Sequence, residues 1–150
     1  MEICDFLTPD HTECRVQGVS KKKVLEHLSH LIADKLSNID ADQLYLQFLE
    51  RERLGSTGIG EGIAIPHCRV AGCSKITGAL LKLEDQVDFD AIDDQPVDLV
   101  FALVVPMEEN EEHLKTLACI AELMQLPENR KRLRQAACSE DLFDEAIKAS

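Results

Sequence analysis

The pattern of apolar residues along the chain predicts a mixed α/β layered domain. Helical spacing of apolar side chains recurs before residue 54 and again after residue 110. Between these stretches, residues 97–105 (VDLVFALVV) form a nearly continuous apolar run of strand length, which is typical of a central strand covered on both faces. No linker rich in Gly, Ser or Pro divides the 150 residues, so we predict one α/β domain over residues 1–150.

The first half of the chain predicts one short strand and two helices. The strand is expected over residues 14–18. Ser20 is a favourable N-cap residue, and the apolar residues after it recur at helical spacing. A second helix is expected to begin at Asp40, with Gln43 three residues later as in a capping box, and to end near Leu54.

The second half predicts further strands followed by helices. We expect strands over residues 63–65, 75–83 and 97–105. Asn110 is predicted to cap a long helix with Leu114, Leu117, Ala118, Ala121 and Met124 on one face, and Pro127 is predicted to end it. The last predicted helices span residues 128–137 and 139–148.

The composition excludes several classes of function. With 16 Lys and Arg against 28 Asp and Glu, the formal net charge is −12, which disfavours binding to nucleic acid and to anionic membranes. No apolar run reaches the length of about 18–20 residues that spans a bilayer, and the first residues lack the pattern of a signal peptide. We therefore expect a cytoplasmic protein without membrane insertion, whose six cysteines are reduced thiols.

The segment GSTGIGEGIAIPH, which ends at His67, differs from the rest of the chain. Its glycines allow backbone N–H groups to approach an anion, so Ser56, Thr57 and Gly58 are predicted to line a phosphate-sized pocket. Pro66 restricts the backbone directly before His67. The segment matches neither a P-loop nor the dinucleotide-binding glycine pattern, and a glycine-rich loop with a surface histidine stays the simpler alternative.

The string RERLGSTGIGEGIAIPH resembles the active-site segment of the mannitol/fructose-type enzyme IIA domains of the bacterial phosphotransferase system. The resemblance continues in VDFDAIDDQPVDLVFALVVP and in EEHLKTLACIAELM, where it is similar to the nitrogen-regulatory enzyme IIA in particular. It covers essentially the whole chain and implies a mixed β-sheet flanked by helices.

The resemblance also implies roles for three residues. His67 matches the histidine that accepts the phosphoryl group, Arg51 the arginine beside it, and His113 the second histidine of the site. The donor would be a small histidine-phosphorylated carrier protein of the HPr type, and no cofactor or metal is needed. Imidazole suits this chemistry because its pKa of about 6.5 leaves a neutral nucleophile at physiological pH.

Three functions stay open at this point. The chain is a phosphoryl carrier and regulator of target proteins, or a fructose- or mannitol-type IIA that passes phosphate to a sugar-specific IIB, or a phospho-ligand-binding module without transfer chemistry. The acidic residues that flank His113 could steer a basic carrier protein, or simply favour the start of a helix. These acids are Glu108, Glu109, Glu111 and Glu112.

Two further interpretations involve Cys68, which follows His67 directly. His67, Cys68 and Cys73 could bind zinc, but their spacing matches no common structural site. A Cys68 nucleophile with His113 as its base is the weaker alternative. Arg53 is expected to be a solvated charge at the end of its helix.

Overall fold

One six-stranded β-sheet organises the computed structural model, which describes residues 1–109 and 111–149. The strands are β1 (Thr12–Val16), β2 (Gly58–Gly60), β3 (Ile63–Ala64), β4 (His67–Arg69), β5 (Thr77–Val87) and β6 (Val97–Val105). The helices are α1 (Lys21–Asp34), α2 (Ala41–Leu54), α3 (Glu111–Gln125), α4 (Pro127–Gln135) and α5 (Ser139–Lys148). Two short 3₁₀ helices, Ile3–Asp5 and Pro9–His11, precede β1.

The sheet is mixed, and β6 lies at its centre. It pairs antiparallel with β5 on one side, and parallel with β3 and then β4 on the other. The outer strands are β1, which pairs parallel with β5, and β2, which pairs antiparallel with β3. All residues of β6 except Asp98 are buried, as the apolar run predicted. The predicted fold class, a mixed sheet flanked by helices, is confirmed.

Apolar side chains cover both faces of the sheet. One core includes Phe48 of α2 with residues of α1, and the other includes Phe101 of β6 with residues of α3, α4 and α5. Both phenylalanines are fully buried, and burial of such a side chain is worth about 1.5–3 kcal/mol. The helices are thus fixed by their apolar faces on either side of the sheet.

The predicted N-caps of the first two helices are confirmed. The Ser20 hydroxyl accepts a hydrogen bond from the Lys23 backbone N–H at 3.2 Å, and the Asp40 carboxylate accepts one from Gln43 N–H at 3.2 Å. Each bond pairs a donor that an uncapped helix would leave without a partner. The predicted cap Asn110 lies outside the described residues.

Several boundaries differ from the predictions. Strand β1 lies two residues earlier than expected, and β5 continues to Val87 through three exposed residues whose side chains gave no alternating pattern. Helix α4 begins at Pro127, one residue earlier than predicted. A proline fits the first turn of a helix because its missing N–H would have no partner within the helix there. The buried face of α3 is also different from the predicted one, since Leu114 is 68% exposed. Its buried residues are Thr116, Ile120, Leu123 and Met124.

The glycine-rich segment is more ordered than the predicted loop. It contains β2 and β3, joined by a turn in which Glu61 has a φ of 58° and Gly62 a φ of 77°. A Cβ atom at Gly62 would lie 2.5 Å from Arg134 Nη2. Arg134 Nη2 donates to the Glu61 carbonyl at 2.5 Å and pairs with Asp98 of β6 at 2.9 Å, so the guanidinium ties this turn to β6.

Candidate functional site

His67 is the first residue of β4 and lies in a cavity of about 380 Å³. The preceding residue, Pro66, accepts a hydrogen bond from Leu103 N–H of β6 at 2.8 Å, which fixes the start of the strand. The cavity lies between the end of α2 and the start of α3. It is lined by Gln47, Glu50, Arg51, Leu54, His67, Cys68, Arg69 and His113.

Both ring nitrogens of His67 have hydrogen-bond partners. Nδ1 lies 2.7 Å from the Ile65 carbonyl oxygen, which can only accept, so Nδ1 carries the proton in the neutral ring. Nε2 then has a lone pair and accepts a hydrogen bond from Arg51 Nε at 3.3 Å. The nitrogen of His67 that holds a lone pair is therefore Nε2, and it faces a guanidinium.

The surroundings of His67 favour its neutral form. Burial lowers the pKa of His67, and the Arg51 guanidinium lowers it further. The hydrogen bond to the Ile65 carbonyl and the negative charge of Glu52 act in the opposite direction. Because the net shift is downward, the imidazole holds an available lone pair at neutral pH.

Arg51 lies in the last turn of α2 and points towards the cavity. Its Nη1 donates to the Gly55 carbonyl at 2.8 Å while its Nε donates to His67, so the guanidinium plane is fixed beside the imidazole. Arg53 instead pairs with Glu50 at 2.7 Å, and its side chain is 73% exposed. The structure therefore separates the two arginines as the sequence predicted.

His113 reaches the same cavity from the first turn of α3. Its ring centroid lies 5.7 Å from that of His67, with 66° between the ring planes. Its Nε2 is buried and has no hydrogen-bond partner among the described residues. Burial lowers the pKa of His113, as do the neighbouring His67 and Arg69, while Glu109 raises it. A neutral ring thus contributes to the lining of the cavity, and its buried Nε2 has no partner in the described part of the chain.

Arg69 is a residue of the cavity that the sequence reasoning missed. Its Nη1 donates to the Pro106 and Met107 carbonyls at 3.4 and 3.2 Å, and also to that of Glu109. These bonds join β4 to the segment that leads into α3, and hence His67 to the element that carries His113. Arg69 lies two residues after His67 on the same strand, and side chains two residues apart on a strand share a face of the sheet. This alternation could have predicted Arg69 from the sequence.

A comparison with known families can now be added to this geometry. The family model described as phosphoenolpyruvate-dependent sugar phosphotransferase system, EIIA 2, matches residues 5–149. The chain belongs to this EIIA family. It is therefore a phosphoryl-transfer component of the phosphotransferase system, and the resemblance found in the sequence is confirmed.

Individual relatives support the nitrogen-regulatory branch of the family. The nitrogen regulatory protein of Pseudomonas aeruginosa is 47% identical over 138 residues, which cover 92% of this chain and 90% of that protein. The crystal structure of nitrogen regulatory protein IIA-Ntr from Neisseria meningitidis is 33% identical, with a TM-score of 0.87 over 96% of this chain and 98% of that one. The fructose-specific EIIABC component of Bacillus subtilis is 32% identical over 145 residues, covering 96% of this chain and 23% of that protein.

The predicted phosphate-pocket residues of this EIIA lie elsewhere than the cavity lining. The Ser56 hydroxyl donates to the Phe89 carbonyl at 2.6 Å and accepts from Gly58 N–H at 3.0 Å. The Thr57 N–H donates to the carboxylate of Glu52 at 3.1 Å. The Ser56 hydroxyl and the Thr57 and Gly58 N–H groups are thus engaged within the fold, whereas Thr57 Oγ1 is buried without a hydrogen-bond partner among the described residues. The role of Ser56, Thr57 and Gly58 in holding an anion stays a prediction.

Cys68 is not placed as a nucleophile. Its side chain packs in the core beneath α1 and α2, and burial raises the pKa of its thiol to about 12. The thiolate, which is the reactive form, is therefore disfavoured at neutral pH. All six cysteines are free.

Metal and membrane interpretations find no support in residues 1–109 and 111–149. No group of three or more His, Cys, Asp or Glu side chains in this part of the chain could hold a metal ion. No helix there combines the length and the apolar character needed to cross a bilayer.

Proposed function

We propose that the chain is a phosphoryl carrier in which His67 Nε2 accepts a phosphoryl group from an HPr-like histidine phosphocarrier protein. The observation that carries this proposal is the hydrogen bond from His67 Nδ1 to the Ile65 carbonyl. It leaves the Nε2 lone pair directed at Arg51, in a cavity shared with His113. Membership of the EIIA family supports the same chemistry.

In the proposed step, the Nε2 lone pair attacks the phosphorus of the carrier's phosphohistidine. A new N–P bond forms on His67 as the N–P bond of the carrier breaks, and that bonding pair returns to the carrier's ring nitrogen. The proton on Nδ1 of His67 stays in its bond to Ile65. The ring becomes more positive as the bond forms, and the carbonyl oxygen that faces Nδ1 stabilises this charge.

Arg51 and His113 act on the phosphoryl oxygens. Phosphoryl transfer spreads negative charge over three oxygens, so positioning and electrostatic stabilisation supply most of the catalysis. The permanently charged guanidinium of Arg51 is held beside Nε2 and can bind one of these oxygens. A protonated Nε2 of neutral His113 can donate to another, which would give that buried nitrogen the partner it lacks among residues 1–109 and 111–149.

Exposed side chains lie on or next to the segments that line the cavity, and we call this surface the rim: Leu54 lines the cavity, Leu114 follows His113 in the chain, and the Met107 carbonyl accepts from Arg69. Leu54, Met107 and Leu114 are 86, 54 and 68% exposed. Exposed Glu108 and Glu111 lie in the same region of the chain as Met107 and Leu114. An apolar rim with acidic neighbours suits a partner that presents apolar and basic side chains. We propose that the HPr-like carrier docks here, in the cytoplasm.

We further propose that the phosphorylation state of His67 regulates target proteins, because the nitrogen regulatory proteins are similar over nearly the whole chain. A second candidate function is transfer onward to a sugar-specific IIB. The match to the fructose-specific EIIABC component favours it, since that protein is 32% identical over 145 residues.

Reconstituted phosphorylation tests the proposal. The chain is incubated with phosphoenolpyruvate, enzyme I and the HPr-like carrier, and its intact mass is followed. We expect a gain of one acid-labile phosphoryl group that maps to His67 and is absent without the carrier. A folded protein that gains no phosphoryl group would leave only a phospho-ligand-binding module. Transfer onward to membranes containing a sugar permease would select the second candidate over the regulator.

A further inference from the structure

Glu52 follows Arg51 in the chain, but its carboxylate lies outside the cavity and inside the fold. Its side chain is only 6% exposed. Both carboxylate oxygens accept from the backbone N–H of Thr57, at 3.2 and 3.1 Å. The proposed transfer step assigns no role to this buried charge.

A continuous path of hydrogen bonds leads from Glu52 to the imidazole of His67. The Thr57 N–H donates to Glu52, and the Thr57 carbonyl accepts from Ile65 N–H at 2.9 Å. The Ile65 carbonyl in turn accepts from His67 Nδ1 at 2.7 Å. Through Thr57, the carboxylate therefore anchors the backbone of Ile65. The Ile65 carbonyl in turn sets the tautomer of His67.

Lys21, the first residue of α1, keeps this carboxylate compatible with burial. Its Nζ lies 2.8 Å from Glu52 and 3.6 Å from Asp90, donates to the Phe89 carbonyl at 3.2 Å, and stands 5.4 Å from the centre of the Phe89 ring. A buried charge is tolerated when it is paired and hydrogen-bonded, and Glu52 has both kinds of partner.

We propose that Glu52 is a positioning residue for the phosphoryl-acceptor imidazole, acting through Thr57 and Ile65. The inference rests on the proposed function, because it assigns Glu52 to the same transfer step. Glu52 fixes the backbone that directs the Ile65 carbonyl at Nδ1, and so keeps Nε2 unprotonated and facing Arg51. Its negative charge also favours the positive charge that develops on the ring.

Three variants and one control separate geometry from charge. Glu52→Ala removes both the anchor and the charge. Glu52→Gln keeps an oxygen that can accept from Thr57 N–H, but brings its amide against the Lys21 ammonium. The double variant Lys21→Met/Glu52→Gln removes that conflict and leaves the anchor without charge. Glu26→Gln is the matched control, since Glu26 pairs with exposed Lys23 on the surface of α1.

Two readouts are made on each folded variant: the imidazole ¹⁵N shifts of His67, which report its tautomer and titration, and the rate of phosphorylation by the carrier. In Glu52→Ala we expect the proton to populate Nε2 as well as Nδ1. We also expect the rate to fall about tenfold to a hundredfold, because small misplacements of a reacting group have effects of this size. Glu26→Gln should match the unmodified protein in both.

The double variant gives the sharper comparison. We expect it to recover the Nδ1–H tautomer and most of the rate lost in Glu52→Ala. Its His67 should nevertheless titrate at lower pH than in the unmodified protein, because the negative charge that raises the pKa of His67 is absent. If Glu52 had only a structural role, its replacement would change the free energy of unfolding. It would not combine a recovered Nδ1–H tautomer with a lower titration pH of His67.

The inference is overturned if the tautomer and rate of folded Glu52→Ala equal those of the unmodified protein. If Glu52→Ala does not fold, Glu52→Gln replaces it: its amide lies against the Lys21 ammonium, so a tautomer and a rate equal to those of the unmodified protein overturn the inference instead. If the unmodified protein gains no phosphoryl group, the proposed function fails. The ¹⁵N tautomers, which need no transfer, then still decide whether Glu52 positions His67.

Discussion

His11 and His67 are both largely buried histidines, and their surroundings differ. Burial lowers the pKa of each, so both rings are expected to be neutral at neutral pH. His11, in the second 3₁₀ helix, is 5% exposed, and neither of its ring nitrogens has a hydrogen-bond partner among the described residues. Each nitrogen of His67 has one, and its ring opens onto a cavity.

The contrast shows that a lowered pKa alone does not identify a functional histidine. Burial without partners gives a neutral ring that is part of the packing, as at His11. A neutral ring whose tautomer is set on one side, and whose lone pair faces a guanidinium on the other, is prepared for reaction with an anion.

The largest effect is expected for His67 itself. His67→Ala should fold and accept no phosphoryl group, because the nucleophile is absent, whereas His11→Ala should be phosphorylated at the rate of the unmodified protein. Intact-mass measurements after incubation with the phosphorylated carrier compare the two. An acid-labile phosphoryl group on His67→Ala would show that another residue is the acceptor.

Arg51 tests the partner of Nε2. We expect Arg51→Ala to slow transfer about a hundredfold, the order of effect seen when one charge-stabilising donor is removed. Arg53→Ala should change the rate less than twofold, because its guanidinium pairs with Glu50 on the surface. Rapid-quench measurements resolve the two rates, and equal losses would refute the distinction between these arginines.

His113 tests the second ring. His113→Ala should lower the forward or the return rate about tenfold, which corresponds to one hydrogen bond of about 1.4 kcal/mol in the transition state. His113→Gln should lose less, because its amide can still donate to a phosphoryl oxygen. Both directions are measured, since an interaction with the phosphorylated product alone would change only the equilibrium. If both variants match the unmodified protein in the forward and return rates, His113 has no role in the transfer.

Charge reversal at the rim should act on encounter with the carrier. Glu108→Lys combined with Glu111→Lys is expected to lower the association rate a few-fold at low salt and to weaken its salt dependence. Glu109 is left intact because its carboxylate accepts from Glu112 N–H at 3.0 Å near the start of α3. Stopped-flow association at several salt concentrations measures this, and an unchanged rate at low salt would remove these acids from the docking surface.

The smallest effect concerns stability and separates His11 from the site. The pKa of His11 is lower in the folded protein than its unfolded value of about 6.5. The unfolded chain therefore binds more protons as the pH falls below that value, and stability is lost with acidification.

We expect His11→Leu to lose less free energy of unfolding between pH 7 and pH 5 than the unmodified protein does. His67 and His113, whose pKa values are also lowered, should supply the pH dependence that remains. Urea denaturation at each pH gives these free energies. The same pH dependence in both proteins would mean that His11 is protonated without loss of structure.

Much of the fold could be predicted because local signals determine it. Ser20 and Asp40 accept from the N–H groups that a helix start leaves without partners, and β6 is apolar except at Asp98 because both of its faces are covered. His67, Arg51 and His113 were found through a resemblance to known segments, and the structure brings their side chains to one cavity.

The rest depends on contacts between distant parts of the chain. A strand was predicted at the position of β3, but its pairing with β6, some 36 residues further on, was not; Ile63 pairs with Leu99. Glu52 is separated from its ion-pair partner Lys21 by a whole helical hairpin. No local pattern gives these pairings, and for the same reason the glycines alone could not show which groups accept from the Ser56 hydroxyl and the Thr57 N–H.

Cys68 provides a way to observe the opening of this sheet. It is adjacent to His67 in the chain, yet its thiol lies in the core and has a pKa of about 12, so alkylating reagents react with it only when the structure opens. Pulse alkylation followed by peptide mass spectrometry would time the exposure of β4. If the added phosphoryl group links β4 to α2 and α3, phosphorylation at His67 should slow that exposure. Cys68 is therefore a native probe of how the bound phosphoryl group stabilises the edge of the sheet.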